Sequence, residues 1–313
     1  MNSILYKVFV CLFYGLCSFG LSFINKWIFA FYDFKFPFIL LLLQFVFNAG
    51  FSVTYGAFVD NGPKAIWKVP KLTLDGCKSC LIISCTFLSN VSFGVISLTK
   101  VSIPVFLAIR RMVTILIYIV DLTYLGKPWK ILEFLGVVLI TVGGILSAAN
   151  DFYADYFGYF LVMMNNAATV LHFNLCKSLS QKKPELDAGA QTFYMSLLSI
   201  PVLLCLCLFA EDTNSYELFD RAKPFYISLF ITTVMGCLLT FSQALCINVN
   251  SPIATSVTGN CKDILATIVG LLVFPDVLIT PWLLIGLAAS LSGAIIYSYS
   301  KLLDELQKSS KVK

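Results

Sequence analysis

From near the amino terminus to residue 301, apolar runs about as long as a membrane-spanning helix, roughly 20 residues, alternate with short polar breaks. Ten runs stand out, at 6–30, 36–58, 77–98, 101–125, 130–149, 156–178, 190–210, 224–247, 251–274 and 281–301. The longest breaks, "VDNGPKAIWKVPKLTLDG" and "EDTNSYELFDRAKP", leave no room for a soluble domain. This pattern predicts an all-α membrane protein of ten transmembrane helices. The opening "MNSILYKVFVCLFYGLC" runs on into a full span without a small-residue cleavage site, so it reads as a retained helix rather than a signal peptide.

Composition agrees. The chain is 58% hydrophobic and 12% charged, whereas a soluble domain carries about 25% charged residues. The bilayer is therefore the expected solvent and lipid the expected surroundings. Most of the 11 cysteines lie in apolar spans, as in "LIISC" and "LLCLC", where they act as small hydrophobes. Cys77 and Cys80 form a lone C-x-x-C without a second pair, so no metal site and no cofactor are expected. The net charge of +5 reads as orientation and not as nucleic-acid binding. Fourteen lysines, among them Lys64, Lys68, Lys71, Lys127, Lys130 and Lys183, fall on the side of the N-terminus. Five basic residues, Lys26, Lys35, Lys100, Arg221 and Lys223, fall on the other. The positive-inside rule then puts both termini in the cytosol.

The chain also repeats itself. "GKPWKILEFLGVVLITVGGIL" and "LITPWLLIGLAASLSGAII" both open on Pro-Trp, at Pro128-Trp129 and Pro281-Trp282. Both continue with Gly-x6-Gly, at Gly136 to Gly143 and Gly286 to Gly293. These are the fifth and tenth spans. An odd number of spans per repeat gives two five-helix halves of inverted topology, 1–150 and 151–303, followed by a basic cytosolic tail at 304–313. Such repeats are typical of secondary transporters, with a substrate site near midplane where the halves meet.

Three charges stand at span centres: Arg110 and Arg111 in the fourth, Lys262 in the ninth. Lys262 lies about as far ahead of Trp282 as the arginines lie ahead of Trp129, so equivalent helices bring cations to similar depth. Ending the fourth span at the arginines would leave "MVTILIYIVDLTYL", too short to cross. Mid-span charges face a bundle interior or a wet cavity and mark a pathway. Adjacent helical positions diverge by about 100°, so one arginine is expected to face ligand while the other pairs or caps. Asp121 is too far along the helix to pair with them. Asp263 adjoins Lys262 on a different face and is a candidate partner for an arginine across the bundle. Fixed cations with few acids suit an anionic substrate, and the arginine fork matches phosphate.

Polar residues cluster around Lys262 in "ATSVTGNCKDILATI", where Gly259 permits close approach or local unwinding and Asn260 offers donors and acceptors. The sixth span adds Asn165, Asn166 and His172, the only histidine, which is either a packed side chain or a proton relay. In the seventh span Phe193 and Tyr194 can stack on a base or sugar or simply pack, and Ser196 follows; the eighth carries Gln243. There is no G-x-S-x-G, HExxH or glycine-rich phosphate loop, so an enzyme is not expected.

"TKVSIPVFLAIRRMVTILIYIVD" resembles the fourth span of nucleotide-sugar transporters, especially the UDP-glucuronate/UDP-N-acetylgalactosamine group. "CINVNSPIATSVTGNCKDIL" is similar to that group's eighth-to-ninth span junction, and "NNAATV…CK" and "GAIIYSY" to its sixth and tenth spans. The resemblance implies the ten-helix fold of the drug/metabolite transporter superfamily, Golgi or ER residence, and exchange of cytosolic nucleotide sugar for lumenal nucleoside monophosphate. A homodimer is a further, open expectation. Gly259 and Lys262 fall on the motif that faces the sugar-phosphate moiety in relatives. Phe193 to Ser196 fall on the Phe-Tyr-Asn-Asn motif of GDP-mannose carriers, but Met195 and Ser196 replace both asparagines, which favours a base other than guanine. Two alternatives stay open: a sugar-phosphate/phosphate exchanger of the same fold, and a non-transporting membrane scaffold.

Overall fold

In the computed structural model, residues 2–32, 34, 36–58, 72–98, 100–101, 103–147, 149, 156–210, 223–273 and 280–311 are described. Lys35, Lys64, Lys68, Lys71, Arg221 and Lys313, from the charge count, lie outside them. The described residues are all-helical: α1 (Asn2–Phe31), α2 (Pro37–Phe58), α3 (Leu74–Leu98), α4 (Ile103–Arg110), α5 (Met112–Thr123), α6 (Ile131–Ser147), α7 (Tyr156–Lys182), α8 (Ala188–Ala210), α9 (Lys223–Val249), α10 (Pro252–Val273) and α11 (Pro281–Lys311). Segments of six of them are long and apolar enough to cross a membrane: 4–25, 37–55, 74–94, 188–209, 223–249 and 281–304.

The helices start where the sequence supplies caps. Thr73, Ser251 and Thr280 each accept a hydrogen bond from the backbone N–H three residues on, at Gly76, Ala254 and Leu283. Asp187 Oδ1 accepts from the N–H groups of Gly189 and Ala190 at the start of α8. Proline opens α2, α10 and α11, where its missing N–H costs nothing. Two expectations change. The fourth span is not one helix, because Arg111 interrupts it between α4 and α5. The segment from 304 onward is not a separate tail up to Lys311; it continues α11.

The surface is inverted relative to a soluble protein. Phe9, Leu16, Phe160, Leu208, Phe230 and Ile295 are exposed, while Gln44, Asn48, Asn165, Asn166 and Arg111 are buried. That arrangement suits a lipid solvent, in which polar groups must find their partners inside.

Two compact units are present. One comprises Met1–Cys11, Thr86–Asn174 and Asn250–Lys313, the other Leu12–Cys85 and Leu175–Val249. In the first, α6 and α11 lie against each other through their glycines. A Cβ on Gly136 would stand 2.8 Å from the Gly293 carbonyl oxygen, and one on Gly143 would stand 2.5 Å from that of Gly286. Backbones meet where side chains would otherwise separate them. As the register ascends on α6 it descends on α11, so the helices are antiparallel. Ion pairs fasten the Lys130 end: Lys130 to Asp304, and Lys301 to Glu133 at 2.9 Å. The core beside them holds Val105, Phe106, Ala108, Ile109 and Val162.

In the second unit, α2 packs against α8 and α9. Its core gathers Cys80, Leu186, Phe193, Tyr194, Cys237 and Phe241. A second cluster joins Ile28, Phe34, Phe36, Leu40 and Phe225.

Candidate functional site

Arg110 and Arg111 part company at the interruption. Arg111 keeps helical dihedrals, φ −62° and ψ −20°. Its carbonyl accepts from the Thr114 N–H at 3.2 Å, a tighter turn than the α-helical bond. Asn166 of α7 donates its side-chain amide to the Ile109 carbonyl at 2.8 Å, serving one of the last carbonyls of α4.

Arg111 points into the first unit and is 3% exposed. Its stem runs over Gly144, where an added Cβ would come within 2.6 Å of Arg111 Cδ. One terminal nitrogen donates to Ser290 Oγ of α11 at 2.9 Å, and Ser290 in turn donates to the Ile140 carbonyl at 3.1 Å. Nε has no hydrogen-bond partner among the described residues. Arg110 is exposed. Its guanidinium sits over the Phe106 ring, 5.7 Å from the centroid, and no described carboxylate forms an ion pair with it.

Lys262 of α10 is half-buried, and its ammonium lies 2.6 Å from Asp263 Oδ1. This corrects the expectation that Asp263 faces away from its neighbour: the flexible lysine stem curls back onto it. Arg111 is buried in the same unit as this pair. Asn260 is buried and donates to Thr114 Oγ1 at 2.8 Å, and Thr114 shares a 2.7 Å hydrogen bond with Ser256. Gly259 lies within an uninterrupted α10, so of the close approach or local unwinding it permits, unwinding does not occur.

Asn165 turns toward α3 and donates to the Asn90 side chain at 2.7 Å and also to its carbonyl; its own Oδ1 is buried without a described partner. His172 packs its ring 5.7 Å from that of Phe87. Thus Arg110, Arg111, Asn165, Gly259, Asn260 and Lys262 all belong to the first unit.

Tyr194, Ser196 and Gln243 belong to the second. Tyr194 is fully buried, and its hydroxyl accepts from the Thr73 N–H at 3.1 Å, holding the start of α3. Ser196 donates to the Thr192 carbonyl and accepts from Asn48 at 2.8 Å; Asn48 Oδ1 accepts from Cys237 at 3.3 Å. Gln243 is half-buried, and no described residue bonds its amide. Sequence reasoning passed over Ser290, although it sits between the two glycines of the α11 face. It also passed over Gln44, Asn48 and Ser52, whose four-residue spacing marks one buried stripe of α2.

Known proteins bear on this arrangement. The model of the Triose-phosphate Transporter family matches residues 5–298. The chain belongs to that family. Several of its relatives are named for nucleotide sugars. The UDP-galactose/UDP-glucose transporter 7 of Arabidopsis thaliana is 28% identical over 306 residues, covering 96% of this chain and 91% of that protein. A nucleotide sugar transporter of Mus musculus is 25% identical over 317 residues, covering 98% and 93%. With a Dictyostelium discoideum relative, 29% identical over 229 residues, the match covers 72% of this chain and 59% of the other. A crystal structure superposes with a TM-score of 0.68 at 11% identity, covering 94% of this chain and 97% of that one. It shares the fold. Within the drug/metabolite transporter superfamily, this Triose-phosphate Transporter chain is thus a multi-pass membrane protein of a nucleotide-sugar and sugar-phosphate transporter family.

Proposed function

We propose that the chain is an alternating-access antiporter. It takes up cytosolic nucleotide sugar, UDP-linked in preference to GDP-linked, and returns lumenal nucleoside monophosphate across the Golgi or ER membrane, with both termini cytosolic. The observation that carries this reading is an exposed guanidinium, Arg110, in the same unit as a half-buried ammonium, Lys262, both in stretches whose sequence reads as membrane-spanning. A charge there does not face lipid; it faces a watered interior and a counter-charge. A diphosphate linkage supplies that counter-charge and suits the arginine fork. Full-length similarity to transporters named for UDP-sugars supports the uridine lean. So does the loss of the guanine-linked asparagines at Met195 and Ser196.

Direct contact with substrate falls to Arg110 and Lys262 in the first unit; Gln243, in the second, is half-buried with its amide unbonded by any described residue. Arg111, Asn165, Asn260, Tyr194 and Ser196 already hold protein partners and act by positioning, with Gly259 one turn ahead of Lys262. The inverted five-helix repeat belongs to the same reading. It is supported by the antiparallel pairing of α6 with α11, spans the repeat makes equivalent. A thermal-stability screen of the purified protein tests the substrate class. Uridine mono- and diphosphate compounds raise the melting temperature more than guanosine, cytidine or adenosine counterparts. Stabilisation by inorganic phosphate and triose phosphates alone would replace this reading with sugar-phosphate exchange.

A further inference from the structure

Asp263 stands where an anionic ligand would. It lies 2.6 Å from Lys262 Nζ, and both side chains are partly exposed. A partly exposed ion pair is readily exchanged where water reaches it, since solvent screens it and its net worth is small. Arg111, in the same unit, is buried, and among the described residues its one side-chain hydrogen bond goes to the neutral hydroxyl of Ser290. A buried guanidinium without a counter-ion is costly, and Asp263 is a carboxylate of the same unit.

We propose that Asp263 is a tethered stand-in for the substrate phosphate: it neutralises Lys262 in the empty carrier and is displaced when a nucleotide phosphate binds. This rests on the assignment of Lys262 to the substrate. No bond is made or broken in the exchange; one carboxylate–ammonium contact is replaced by a phosphate–ammonium contact. The consequence is kinetic. Every ligand must compete with a carboxylate on the adjacent residue, which weakens binding and speeds release. An exchanger that must unload on both faces benefits from both effects.

The test is Asp263→Asn in the full-length protein reconstituted in liposomes, with KM and kcat for UDP-sugar exchange measured separately. KM falls by about fivefold to tenfold, and kcat falls with it because release slows. Arg111→Gln/Asp263→Asn serves as the second variant, removing the buried charge of the same unit in case the single variant does not fold. It gives the same fall in KM. An unchanged or raised KM in whichever variant folds overturns the proposal, as does failure of both to fold, which would make Asp263 purely structural. Lys262→Ala separates this from the underlying assignment: if that variant exchanges at the full rate, the substrate site itself is misplaced. If it is inactive while Asp263→Asn leaves KM unchanged, only the stand-in role fails.

Discussion

Two adjacent arginines perform different tasks because one helical step turns a side chain by about 100°. Arg111 faces Gly144 and Ser290 and is consumed by packing; Arg110 faces outward over Phe106. Arg110→Ala should therefore stop transport while leaving the melting temperature of the detergent-solubilised protein near the parent value. Ser290→Ala should do the reverse, leaving a buried guanidinium donor without its acceptor at a cost of about 1–3 kcal/mol, read as a lower melting temperature with KM little changed. The pair of charges and its depth were legible in the chain. Which arginine turned inward was not, because Gly144 and Ser290, distant in sequence, set that rotation. The same holds for Tyr194. Its aromatic character suggested stacking, but the backbone N–H of Thr73 took its hydroxyl.

At the scale of elements, the repeated Gly-x6-Gly was visible from residue spacing, but its use was not. The two copies mate with each other, Gly136 with Gly293 and Gly143 with Gly286, so that α6 and α11 share a backbone-to-backbone contact. A Cβ on Gly286 would press on the Gly143 carbonyl oxygen and the Ser147 backbone. Neither can yield as a flexible side chain would. Gly286→Ala should cost about 1–3 kcal/mol through overpacking, seen as a lowered melting temperature, whereas Gly50→Ala, with open space around it, should have little effect. Nine of the ten hydrophobic runs each fall on one helix, and the fourth falls on two, α4 and α5. The interruption at Arg111 escaped detection because the stretch contains neither glycine nor proline there; the break rests on Asn166 serving the Ile109 carbonyl from another helix.

For the whole molecule, chain order and compactness divide differently. The proposed inverted halves, 1–150 and 151–303, do not coincide with the compact units, each of which draws helices from both. Antiparallel pairing of α6 with α11 inside a single unit is consistent with an inverted repeat. Exchange by alternating access is the mode proposed for it. The most direct measurement is uptake of a labelled UDP-sugar into proteoliposomes, preloaded with UMP or left empty. Preloading should accelerate uptake severalfold, and Lys262→Ala should abolish the acceleration while still inserting. Equal uptake by empty and preloaded vesicles, or full exchange by Lys262→Ala, would contradict an antiporter whose substrate site includes that lysine.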